Sequence, residues 1–179
     1  MKTILIICIV AAIGLVGFGA VHYMTTNVGN STTSQVDSVA ADALSVTISG
    51  EVNYPGAYVV AKGSKLLDLI NAAGGTNSNA DSLAFNTDYA IENKGTYFIA
   101  PLYDNSNTCS ASPIVKTNIN MDDVETMQSI AGFTKTVANA IVSYRASAPF
   151  KAIEEIKNVS GVGAATYEKV KAKIVLRAA

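Results

Sequence analysis

The chain has 179 residues, with 13 Lys and Arg against 14 Asp and Glu, one histidine and two cysteines, enough for one ordinary domain or two small ones. Cys8 lies inside an apolar run and Cys109 stands alone further out, which excludes a disulfide framework, and no Cys or His cluster has metal-ligand spacing. The charge is unevenly spread: residues 1 to 115 carry four lysines against eight acids, whereas residues 116 to 179 carry nine Lys or Arg against six acids. A basic end on an acidic chain points to a polyanionic partner for the last region.

The first element, "TILIICIVAAIGLVGFGAV" from Thr3 to Val21, has no charge and exceeds the ~18 apolar residues that a bilayer-spanning helix needs. Lys2 precedes it and the next cation is Lys62, a bias that predicts a cytoplasmic N-terminus with all later residues outside. Residues 1 to 21 therefore read as a transmembrane anchor of a single-pass cell-membrane protein. The rival reading is a cleaved signal peptide, whose apolar core is usually shorter.

Residues 22 to 43, rich in Ser, Thr, Asn and small side chains, read as a flexible tether. Strand periodicity follows, with Leu44, Val46 and Ile48 alternating with Ser and Thr; "NYPG" is a turn and "AYVV" a returning strand. Ser64 is placed to cap a short helix through "KLLDLINAA", which Gly74 and Gly75 end. "GTYFIAPL", Gly95 to Leu102, is a last strand closed by Pro101. Residues 44 to 103 thus predict a small α+β unit, and residues 104 to 113 a second linker.

The stretch "VTISGEVNYPGAYVVAKGSKLLDLINAAGGTNSNAD", Val46 to Asp81, resembles the SLBB domain, with Gly50, Val52, Pro55, Gly56, Ala73, Gly74 and Gly75 in register. The resemblance implies a β-grasp-like fold, and a module that binds soluble ligands or glycans or mediates self-association.

In residues 114 to 179, Asn120 is placed to cap a helix with Asp122, Asp123 and Glu125 in its first turns. A second helix runs from about Lys135 to Ala146, with Val137, Ile141 and Tyr144 on one face, until Pro149 stops it. "AIEEIKN" gives a short third helix. "AATYEKVKAKIVLRA" gives a fourth, whose Tyr167, Val170 and Ile174 share a face. The expectation is an all-α domain of two hairpins.

The two hairpins repeat at an offset of 29 residues: Ile130, Gly132, Phe133 and Ile141 match Val159, Gly161, Val162 and Val170. Each turn reads apolar, any residue, Gly, apolar, and then Gly163 in the second copy but Thr134 in the first. Glycine serves where φ is positive or where another group approaches closely. The first amides of the following helix are unpaired and sit at the positive end of its dipole, so they welcome an anion.

Two such turns side by side would hold two phosphates of a nucleic-acid backbone, without reading bases. The candidate DNA-binding residues are Gly132, Phe133, Thr134, Lys135 and Thr136 in the first turn, and Gly161, Val162, Gly163, Ala164, Ala165 and Lys169 in the second. If Thr134 must be left-handed it is strained; if it stays extended it caps the next helix, a role for which threonine is well suited.

No catalytic, metal or cofactor residues are expected. The one histidine, His22, lies at the membrane edge, and Asp122 and Asp123 read as helix-start charges.

The stretch from Ile119 to Ile174, with Asn118, Ile119 and Asn120, Gly132, "AIVSYR", Pro149, Phe150, "IEEIKNVSGVG" and the closing helix as landmarks, resembles the paired helix-hairpin-helix domain of ComEA-type competence proteins. The order of anchor, SLBB-like module and paired hairpins is also theirs. The resemblance implies a sequence-independent receptor for double-stranded DNA in natural transformation, which passes DNA towards the inner-membrane channel and uptake machinery. The competing reading is a cell-surface glycan- or partner-binding SLBB protein whose helical domain is only structural.

Overall fold

The computed structural model describes residues 43–104 and 112–178. The predicted anchor, the tether as far as residue 42 and both cysteines lie outside the described residues. Among the described residues no helix is long and apolar enough to cross a membrane.

Strand β1 (Ala43–Gly50) is central in a three-stranded sheet of order β2-β1-β3, between β2 (Gly56–Ala61) and β3 (Thr96–Ile99). The alternation expected of β1 is present: Val46 and Ile48 are buried while Ser45 and Thr47 are exposed. β3 runs parallel to β1, with Ile48 opposite Tyr97, so the chain must cross over between them. Helix α1 (Leu66–Ala72) lies in that crossover and buries Leu66, Leu69 and Ile70 against Val46, Ile48, Tyr97 and Ile99.

The expected Ser64 cap is not what starts α1. Lys65 is held extended by a bridge to Ala90, so the helix begins one residue later, and the Lys65 N–H donates to Asp68 Oδ2 at 2.8 Å.

The second core is built by α2 (Val124–Ala131), α3 (Lys135–Ser147), a 3-10 helix (Ile153–Asn158) and α4 (Ala164–Val170), which bury Met127, Phe133, Ile141, Ile156, Val162, Tyr167 and Val170 together. Asn120, expected from the sequence to cap the first of these helices, does not. The N-cap of α2 is Asp123, which accepts from the Thr126 N–H. Asn120 is instead a clasp: its carboxamide accepts from Phe150 N–H at 2.8 Å and donates to the carbonyls of Phe150 and Leu176. The short third helix is present, as a 3-10 helix.

The fourth helix ends at Val170, because Ile174 and Val175 form β5 (Ile174–Val175), parallel to β4 (Thr117–Asn118). The β-branched Ile-Val pair fits a buried strand better than an exposed last helical turn. The domain is therefore not all-α: a short strand pair ties its two ends together.

Residues from Leu44 onward form one compact unit. The Lys116 ammonium and the Asp81 carboxylate pair at 2.6 Å with both side chains nearly fully buried, and Lys116 also donates to the Pro101 carbonyl. Removing one partner of such a pair costs about 3–5 kcal/mol, since a buried charge is left uncompensated. Ala84, Ala100 and Val175 pack beside it, with Leu83 and Phe98. Arg177 donates to the carbonyls of Ser82 and Phe85 at 2.6 and 3.1 Å.

Candidate nucleic-acid interface

The turn of the first hairpin joins α2 to α3. Gly132 ends α2 in the left-handed conformation, φ +76°, and its N–H reaches the Gln128 carbonyl. Thr134 is extended, at φ −69° and ψ 153°, and its hydroxyl accepts from the Val137 N–H at 3.3 Å. Of the two readings of Thr134, the cap is the one the chain adopts.

The turn of the second hairpin joins the 3-10 helix to α4. Gly161 is left-handed at φ +89°. Gly163, the counterpart of Thr134, is extended at φ −86° and ψ 177° and has no side chain with which to cap α4. The repeat therefore needs positive φ only at its first glycine, and threonine at the second position introduces no strain.

The amides that follow differ in consequence. In α3 the hydroxyl of Thr134 has already taken Val137. In α4 the amides of Ala164, Ala165 and Thr166 have no acceptor among the described residues. They are the orphan donors of a helix start.

Binding clefts commonly enclose about 300 to 1,000 Å³, and the groove between the two turns measures ≈ 580 Å³. Gly132, Phe133, Thr134, Gly161 and Lys169 line it, so the structure brings these predicted residues from both hairpins together. Lys135, Thr136, Gly163, Ala164 and Ala165 are exposed but lie outside its walls, and Val162 is buried. Phe133 and Val162 keep 4% and 6% of their surface exposed, so both belong to the core beneath the turns.

Thr166 and Lys173 also line the groove and were not among the candidates. Their spacing around Lys169, three residues before and four after, was the signal that would have found them.

The basic character of the region is divided between two tasks. Arg145 donates to the carbonyls of Ile119 and Met121, and Arg177 and Lys116 hold the residues of the first core. Lys171 pairs with Glu168 and sits 4.5 Å from the Phe98 ring centroid, and Lys157 sits 4.8 Å from that of Tyr167. Lys135, Lys169 and Lys173 are exposed and make no ion pair among the described residues. Two of these three, Lys169 and Lys173, face the groove. No group of three or more His, Cys, Asp or Glu is placed to hold a metal among the described residues.

Fold and site define a two-module protein, an SLBB-type sheet unit joined to a paired helix-hairpin-helix unit. The helix-hairpin-helix motif family matches residues 112–175 and the SLBB domain family residues 45–86. The chain is also 28% identical to ComE operon protein 1 of Bacillus subtilis (strain 168) over 146 residues, which covers 76% of this chain and 71% of the relative. Together the two matched modules, in this order, and the similarity to this relative support a ComEA-type protein.

Proposed function

We propose that this protein is a sequence-independent receptor for double-stranded DNA that acts in DNA uptake during natural transformation. The observation that carries the reading is the groove in which the turns of both hairpins meet, flanked by Lys169 and Lys173. Its donors are backbone amides and ammonium groups, which recognise phosphate and not base edges. The helix-hairpin-helix match and the similarity to ComE operon protein 1 support the same reading.

In this account residues 1 to 21 anchor the chain in the cell membrane, residues 22 to 43 act as a tether, and the two modules face outward. The SLBB module offers self-association through β2, an edge strand whose Val59 is 74% exposed. That would align several modest DNA sites and raise avidity without new contacts. The bound duplex is then passed towards an inner-membrane channel and its uptake machinery.

The test is a mobility-shift titration of the full chain in detergent with a plain duplex at low salt. The triple variant Lys135→Gln, Lys169→Gln, Lys173→Gln should lose most of its binding. The control Lys62→Gln, Lys94→Gln, two exposed lysines of the SLBB module, should keep it. Equal loss in both would show diffuse charge attraction rather than a site. A chain that instead retains wall polysaccharide and ignores DNA would establish the glycan-binding alternative.

A further inference from the structure

The SLBB sheet has two edges, and they are treated differently. Among the described residues β2 pairs with β1 alone, whereas β3 is covered by the second hairpin. Tyr97 and Ile99 face β1, so the Phe98 N–H points away from the sheet and needs a partner. It donates to Glu154 Oε1 at 2.8 Å. The same oxygen accepts from the Tyr167 hydroxyl at 3.3 Å.

Glu154 belongs to the 3-10 helix that leads into the Gly161 turn, and Tyr167 belongs to α4 that leads out of it. One carboxylate oxygen therefore joins the sheet edge to both arms of the second hairpin. Lys171 adds a clamp from the far end of α4, with its ammonium over the Phe98 ring.

The first hairpin has no such attachment. Among the described residues, every hydrogen bond between residues 44–103 and 114–178 ends on Ile114, Lys116, Glu154, Leu176 or Arg177, and none ends on α2 or α3. Of the two hairpins, only the second carries a hydrogen bond to the SLBB module among the described residues, through Glu154, and the other bonds fall on the segments that flank the pair.

We propose that Glu154 is a positioning residue for DNA binding, fastening the second hairpin to the edge of the SLBB sheet so that a module remote from the groove sets the placement of the Gly161 turn. This rests on the DNA-receptor reading above. Two cradles can bind two phosphates together only at one separation, so loosening either turn weakens the pair.

The test uses the full chain in detergent, with duplex affinity and amide hydrogen exchange as joint readouts. Glu154→Ala should bind duplex about fivefold more weakly, a coupling at the low end for packed neighbours. Exchange should quicken at the hydrogen-bonded amides of Val162 and Tyr167, which flank the second turn, while that of Gly132 is unchanged. Glu154→Gln, which keeps the oxygen acceptor, should stay within about twofold of wild type.

Glu154→Ala with wild-type affinity, or with exchange quickened equally at both turns, would overturn the proposal and leave Glu154 a purely structural contact. If Glu154→Ala does not fold, Tyr167→Phe carries the test: it deletes only one hydroxyl. It should quicken exchange at the second turn and weaken binding about twofold, the scale of one modest hydrogen bond; no change in either overturns the proposal. A wild-type chain that fails to bind duplex at low salt would instead refute the DNA reading itself, independently of any Glu154 variant.

Discussion

A Cβ built on Gly161 would stand 3.1 Å from Val137 Cγ2, so the turn of the second hairpin is wedged against helix α3 of the first. The corresponding position in the first hairpin, Gly132, faces open space. The two turns share a backbone conformation but not a packing environment. Gly161→Ala should therefore cost about 2 kcal/mol and Gly132→Ala about 1 kcal/mol, because both strain a left-handed residue but only the first also crowds a neighbour. Urea unfolding of the two variants checks this, and equal losses would mean that the wedge is slack.

Thr134 caps α3 through the Val137 N–H, so Thr134→Gly should cost only a few tenths of a kcal/mol and Thr134→Ala about 1 kcal/mol. The same geometry forecasts the DNA result. Thr134→Gly leaves affinity unchanged or lower in a fluorescence-anisotropy titration, whereas tighter binding would show that the threonine obstructs the cradle.

The division of the lysines into two tasks makes a contrast along one short stretch of chain. Lys169→Gln and Lys173→Gln should each reduce the slope of log affinity against log salt by about 1. Lys171→Gln should leave that slope near wild type, since its ammonium is already committed to Glu168 and the Phe98 ring. Three equal reductions would contradict the assignment.

Burial pushes the Glu154 carboxyl above the usual carboxylate range, against the opposing pull of the Phe98 N–H. An acid whose pKa rises on folding gives its full stabilisation below its unfolded pKa, about 4.3, and loses it as pH climbs through the folded value. Glu154→Gln removes that titration. Its melting temperature relative to wild type should therefore increase as pH rises above about 4. A flat or falling difference across that range would mean that the carboxyl is not held in a desolvated site.

The sheet unit and the hairpins were legible because their signals are local. Val46 and Ile48 alternate with polar residues, Val137 and Ile141 are four apart, and Gly132 and Gly161 sit at turns that only glycine adopts easily. What was not legible depends on tertiary partners. Asn120 looks like a helix cap in sequence, yet its carboxamide spans Phe150 and Leu176, 30 and 56 residues away. Ile174 and Val175 continue a helical pattern on paper, but β4 offers them a ladder that no local rule announces.

The candidate site divides in the same way. Its glycines and its cap follow from backbone chemistry, so they could be named in advance. That Phe133 and Val162 turn inward follows from a core assembled by several separate segments. The grip of Glu154 on Phe98, 56 residues away, has no sequence signature at all.

In the proposed function the paired turns bind duplex DNA through its backbone. The most direct measurement is the affinity of the full chain in detergent for two duplexes of unrelated sequence across a salt series. Equal affinities that fall along one straight line in log salt are expected. A clear preference for either sequence, or no binding at the lowest salt, would contradict it.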